Sequence, residues 1–142
     1  IGAVTGVQGI SWQELTITGQ SNHAGTTPMR LRKDPVVVAA EIAKFLHDLA
    51  IRYGGDQVCT VGKIDVHPNL INVVAAKVTM TLDVRNTDET LLRSAEKEIS
   101  DFIDNVANRH NVTTSVRTLA RFEPVKFDKR VIDIVHTCNQ AR

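Results

Sequence analysis

Residues 19–30 read G-Q-S-N-H-A-G-T-T-P-M-R, which sets one histidine, His23, among small, hydroxylated and turn-forming residues. An imidazole held on so constrained a loop can polarise a carbonyl by hydrogen bonding. Two other residues complement it. Arg85 ends an alternating run on its polar face, and its planar guanidinium suits a carboxylate. Asn72 follows the break at His67-Pro68-Asn69, and its carboxamide can both donate and accept. Together His23, Asn72 and Arg85 suit a pocket for an amide-bearing derivative of an amino acid. Each also has a plainer use. A loop histidine is commonly structural or solvated, Arg85 can pair with Asp83 or Asp88 at the surface, and Asn72 can cap a turn.

Other chemistries find little support. The histidines are His23, His47, His67, His110 and His136, and no two stand at a ligand-pair spacing with a supporting carboxylate. H-x-D, H-E-x-x-H and C-x-x-C are all missing, so a hydrolytic metal site built wholly within this chain is not expected. There is no phosphate-cradling glycine loop before a helix and no defensible Ser/His/Asp set. His47, on the apolar side of an expected helix, and His136 read as packing or interface residues. Cys59 reads as a small core residue, and its distance from Cys138 argues against a disulfide and for a reducing, cytoplasmic setting.

Composition narrows the partners. Seventeen Lys plus Arg against sixteen Asp plus Glu leave a net charge of +1 over 142 residues. Nothing in that balance calls for a polyanion or an anionic membrane. Aromatics make up 4%, too few for a nucleic-acid stacking platform. No apolar run is long enough to span a bilayer, and the first residues lack the order of a signal peptide. The chain opens on Ile1 without a methionine and closes within an expected helix, so both ends read as cut.

The elements that must position these residues follow from periodicity. Residues 1–10 are glycine-rich and read as a connection. Residues 11–18 suggest a strand leading into the histidine loop. Asp34-Pro35 is a helix start, and Gly54-Gly55 a left-handed stop after Tyr53. In that helix Glu41, Lys44, Asp48 and Arg52 share one narrow stripe. Apolar residues fill an arc of roughly 200°, about twice what a one-sided surface helix needs, so a second buried face is expected. Residues 57–66 suggest a second strand, ended by His67-Pro68-Asn69. Residues 77–85 alternate cleanly, with Val78, Met80, Leu82 and Val84 on one face. Asn86-Thr87-Asp88-Glu89 resembles a capping box before a helix ending near His110-Asn111. Residues 112–119 form a less regular strand, Phe122-Glu123-Pro124 breaks it, and a third helix starts near Asp128. The order predicts an α+β fold of the ferredoxin-like βαββαβ kind: a four-stranded antiparallel sheet with two helices on one face. Fold alone assigns no activity.

The histidine loop, with Arg32 and Asp34 shortly after it, resembles the amidase, hydantoinase/carbamoylase family. The opening I-G-A-V-T-G-V-Q-G-I-S-W, the I-N-V-V stretch around Asn72 and the L-D-V-R stretch ending at Arg85 are similar to further blocks of that family, in the same order, over nearly the whole chain. The resemblance implies an enzyme of the N-carbamoyl-L-amino-acid hydrolase, allantoate amidohydrolase or β-ureidopropionase type. These are related to the aminoacylase and carboxypeptidase G group of metallopeptidases. It implies a larger catalytic domain holding two divalent metal ions, zinc, manganese or cobalt, and a smaller inserted lid and dimerisation domain. On that implication the present chain is the inserted domain. Residues 1–9 form the hinge from the catalytic domain, 10–122 the lid, and 123–142 the returning hinge and helix start, with no metal ligands and none bound. His23 corresponds to the histidine that stabilises the oxyanion at the substrate carbonyl, often in the partner subunit's site. Asn72 and Arg85 correspond to the residues that hold the substrate carboxylate. The implied partners are a second copy, through this domain, and a small ureido substrate; neither nucleic acid nor membrane is implied. One departure is Ala75-Ala76, where the family often carries proline, which predicts a looser loop behind Asn72. The alternatives are the lid of a peptidase or aminoacylase, and a free-standing ferredoxin-like module that binds a ligand or a protein.

Overall fold

A computed structural model describes residues 2–140. In chain order the strands and helices are β1 (Gly6–Val7), β2 (Gly9–Thr18), β3 (Asn22–His23), α1 (Pro35–Tyr53), β4 (Val58–Thr60), β5 (Ile64–His67), β6 (Val73–Val74), β7 (Lys77–Asn86), α2 (Glu89–His110), β8 (Thr113–Phe122), β9 (Val125–Lys126) and α3 (Lys129–Gln140). A 3-10 turn, Met29–Leu31, lies ahead of α1.

Local chemistry sets the helix limits. Asp34 Oδ1 accepts the Val36 amide at 2.9 Å, Pro35 occupies the first turn, and Gly54, at φ 63°, ends α1 with its amide on Ala50 O. The second helix is capped by Asp88, whose Oδ1 accepts the Leu91 amide at 2.9 Å. The expected capping box is therefore a single-residue cap. Asn86 Oδ1 takes the Asp88 amide and Thr87 Oγ1 turns to Asp56 instead. Asn111, in the left-handed region at φ 53°, closes α2.

The main sheet is antiparallel throughout. β2 pairs with β7 from Gly9↔Asn86 to Thr18↔Lys77, and with β8 on its other side. The register shifts between Trp12 and Gln13, opposite Leu119, and this bulge accounts for the irregular pattern of the last strand. The outer edge of β7 departs from the expected four continuous strands. Residues 57–66 divide into β4, opposite Asp83–Arg85, and β5, opposite Lys77–Met80. Between them the chain bulges around Gly62, held by Lys63 N on Thr81 Oγ1 and Thr81 N on Lys63 O. The sheet thus has five strands in the order β4/β5–β7–β2–β8. Two short ladders that periodicity did not foresee stand outside it, β1 with β9 and β3 with β6.

Alternation places Leu15, Ile17, Val78, Met80, Leu82 and Val84 on one face of this sheet, all at most 3% exposed. Val38, Ile42, Leu46 and Leu49 of α1 and Leu92, Ala95, Ile99 and Val106 of α2 join them in one cluster. Both helices therefore cover the same face. They are tied to each other by the Phe45–Phe102 stack, with centroids 4.0 Å apart, and by two polar clamps. Glu41 accepts from Arg109 and His110, and Glu98 from Arg52 and the Tyr53 hydroxyl. Cys59 is half-buried against the core rather than inside it. His47 packs against nothing in this core and stands exposed on the outer side of α1.

Candidate functional site

The histidine loop is fastened at both ends by backbone. Gly19 N donates to Ala76 O at 2.8 Å and Gln20 N to Lys33 O at 2.9 Å. A Cβ at Gly19 would lie 2.1 Å from Lys33 O, so only glycine lets the two segments pass this closely. The β3–β6 ladder then sets His23 opposite Val73, and Ala24 N donates to Asn72 O at 2.9 Å. His23 and Asn72, 49 positions apart in sequence, are thereby neighbours. The residues behind Asn72 are held as well: Ala75 is 5% exposed, and Ala76 donates to His67 O at 2.9 Å while accepting from Gly19. The looser loop foreseen from Ala75-Ala76 is not observed.

Within the loop, Thr27 Oγ1 donates to His23 O at 2.7 Å, and the Arg32 guanidinium spans Ala24 O at 2.7 Å and Thr27 O at 3.1 Å. Arg32 thus satisfies loop carbonyls that no strand could serve. The His23 ring accepts the Gly25 amide at Nδ1, at 3.0 Å. A neutral imidazole has one donor and one acceptor nitrogen, so this bond places the proton on Nε2. His23 accordingly presents an N–H from an exposed side chain. Gly25 lies close against the ring, since a Cβ there would stand 3.2 Å from His23 Cε1.

Arg85 lies elsewhere. It is in the β4-paired end of β7, on the sheet face away from the helices, where Val58 is its cross-strand partner. Asp83 accepts from Nε and Nη2 of Arg85, both at 2.9 Å, and the Trp12 ring lies 5.6 Å under the guanidinium. Its hydrogen bonds to the Asp83 carboxylate raise the arginine's pKa further. Beside this group is a cavity of about 210 Å³ lined by Trp12, Thr60, Gly62, Thr81 and Leu119. His23 adjoins the Lys77 end of the sheet through Ala76, and Arg85 lies eight steps of strand further along β7 from Lys77, a span of about 26 Å. One chain therefore brings His23 and Asn72 together and holds Arg85 apart.

Sequence reasoning missed Trp12, Thr27 and Arg32 as supports. Trp12 meets Arg85 only through the register Trp12↔Asp83, and no local pattern announces a register. Among the described residues no group of three His, Cys, Asp or Glu comes together as metal ligands would. The metal pair that the resemblance assigns to a catalytic domain finds no ligand set among these described residues.

These features define an α+β domain with helices on one sheet face, which offers an imidazole N–H at one end and a braced guanidinium at the other. The profile of the Peptidase dimerisation domain family matches residues 5–111, and the chain belongs to that family. It is 37% identical over 125 residues to the N-carbamoyl-L-amino acid amidohydrolase of Geobacillus stearothermophilus, covering 88% of this chain and 30% of the relative. With the allantoate amidohydrolase of Escherichia coli K12 it shares 33% identity, over 93% of this chain and 32% of that one. The crystal structure of an amidase of the hydantoinase/carbamoylase family from Burkholderia multivorans superposes with a TM-score of 0.95 at 31% identity, over 99% of this chain and 34% of that chain. The chain spans about a third of the length of the relatives it matches.

Proposed function

We propose that this chain is the lid and dimerisation domain of a metal-dependent amidohydrolase that cleaves the carbamoyl C–N bond of N-carbamoyl-L-amino acids or allantoate-like ureido compounds. The similarity to two named amidohydrolases of that kind supports the reaction class, and the one-third coverage supports the division into domains. On this reading the lid is a ferredoxin-like βαββαβ unit whose second strand is broken. Residues 1–9 and 123–142 are its two hinge segments, which fits the β1–β9 ladder that lays the incoming and outgoing chain side by side. The two divalent metals belong to the remainder of the enzyme and supply the hydrolytic chemistry there. Both cysteines are free and no described helix is long and apolar enough to cross a membrane, which fits a cytoplasmic enzyme.

His23 donates from Nε2 to the oxygen that becomes negative as the carbamoyl carbon turns tetrahedral, and Asn72 and Arg85 bind the substrate carboxylate. The observation that carries the arrangement is the separation of His23 from Arg85. A small ureido substrate cannot bridge about 26 Å, so both residues serve one substrate only if they come from different protomers of a homodimer. Each site then takes His23 and Asn72 from one protomer and Arg85 from its partner.

Mixing two impaired variants, assayed at substrate concentrations far below KM, tests this. In an equal mixture of intact enzyme carrying His23→Ala with enzyme carrying Arg85→Ala, half of the dimers are mixed, and each of those holds one unimpaired site. Activity returns to about a quarter of wild type. If both residues act within one protomer, the mixture stays as impaired as its parts.

A further inference from the structure

The sheet face away from the helices is not flat. The register shift between Trp12 and Gln13 leaves Leu119 as the extra residue of β8, and on the other side of β7 the chain bulges at Gly62 between β4 and β5. Bulges re-aim the side chains around them. Between these two lies the cavity of about 210 Å³, lined mainly by carbon, with Trp12, Thr60, Gly62, Thr81, Asp83 and Leu119 in its walls. Trp12 is 41% exposed and Leu119 45%, so two large apolar groups stand open on this face. Polar atoms in the lining are already engaged. Thr81 Oγ1 accepts the Lys63 amide at 3.1 Å, and both Asp83 oxygens accept from Arg85 at 2.9 Å.

The cavity shares two walls with the surroundings of Arg85. Asp83 is bonded to the guanidinium, and the Trp12 ring lies 5.6 Å from it. Asp83 takes two of the five N–H groups of Arg85, and the other three have no partner among the described residues, so they can meet a carboxylate. In an α-amino acid derivative the carboxylate and the side chain leave the same carbon. A carboxylate held by Arg85 therefore sets the side chain beside this cavity. We infer that the cavity receives the substrate's side chain, and that the intact enzyme acts on N-carbamoyl amino acids with apolar side chains of leucine to phenylalanine size rather than on allantoate. The inference rests on the carbamoyl reaction and on the role of Arg85 proposed above. Allantoate carries a second ureido group where an amino acid carries its side chain. Burying that group against carbon would strip its N–H and C=O of water without replacing the lost hydrogen bonds.

Steady-state kinetics of the intact enzyme on N-carbamoyl-L-phenylalanine, N-carbamoylglycine and allantoate is the measurement. A filled apolar pocket is worth about tenfold or more in kcat/KM, so wild type favours the phenylalanine derivative over each of the other two by at least that factor. Gly62→Val fills the cavity from the bulge. The first atom a Cβ at Gly62 would meet is Thr81 Oγ1, at 3.9 Å, so the backbone accepts a side chain there. The ratio of kcat/KM for the phenylalanine derivative to that for N-carbamoylglycine falls about tenfold or more in this variant. Leu119→Trp, on a different strand, lowers the same ratio and guards against a misfolded first variant. Because each ratio is read within one preparation, partial loss of folded enzyme cancels. A wild-type preference for allantoate or N-carbamoylglycine overturns the proposal, and so does a ratio that neither variant moves. Hydrolysis of none of the three by wild type overturns the carbamoyl reading itself, and the side-chain assignment with it.

Discussion

The two ends of the sheet hold their polar side chains in different ways. At the Lys77 end, His23 sits on a loop fastened by backbone amides, the Thr27 hydroxyl and Arg32, with no ion pair to the ring itself. At the Asn86 end, Arg85 projects from the last residues of β7, paired on both sides, and its direction is set by Asp83 and Trp12. The loop end offers an oriented N–H, which suits a charge that exists only while the reaction passes its barrier. The strand end offers a permanent charge on a rigid element, which suits a carboxylate present in substrate and product alike. The contrast predicts that damage at the first end lowers turnover and damage at the second weakens binding.

The largest effect is expected at the loop. His23→Ala in the intact enzyme lowers kcat on the order of a hundredfold or more, with metal content unchanged by elemental analysis; near-normal turnover removes the ring from the chemistry. Arg85→Ala raises KM by roughly ten- to a hundredfold, the value of a charge-assisted hydrogen-bond pair. The rise is confined to substrates that carry the carboxylate, and an equal rise for their amides breaks the comparison. Asp83→Asn keeps the guanidinium but loosens it, so KM moves several-fold while kcat holds.

Two smaller effects concern the scaffold. Asp34→Ala removes the cap of α1 and lowers stability by about 1 kcal/mol in denaturant titration. Glu89 accepts from Arg121, which holds its carboxyl below the ordinary 4.5. A depressed folded-state pKa means the pair stabilises fully above that ordinary value and loses its contribution as pH falls through the lower one. Glu89→Gln therefore flattens the acid limb of a Tm-against-pH curve, and an unchanged limb would show the pair to be energetically idle.

Much of the scaffold was legible in the residues. The Asp34-Pro35 start and Gly54 stop of α1 appear where chain-local signals put them, because caps are made by atoms within a few residues of each other. The alternation of β7 and the helix stripe of α2 are legible for the same reason. The break between β4 and β5 was not, since Gly62 alone does not say where a strand stops pairing. The excess apolar arc of α1 was visible in the residues, and in the structure part of that arc, at Val36 and Ile51, stands exposed. His47 shows the limit: its wheel position is apolar company, and its exposure depends on where α2 and the sheet end.

By itself the sequence determined the residue types at the site, the caps, and the alternation that decides which strand face is apolar. These depend on separations of two to four residues along the chain. Tertiary structure alone decided that His23 adjoins Asn72, that Trp12 lies under Arg85, and that the β3–β6 ladder carrying His23 adjoins the end of the main sheet remote from Arg85. Those relations follow from strand register and ladder pairing between segments far apart in the chain, where backbone hydrogen bonds are the same for every residue type and leave no mark in the sequence.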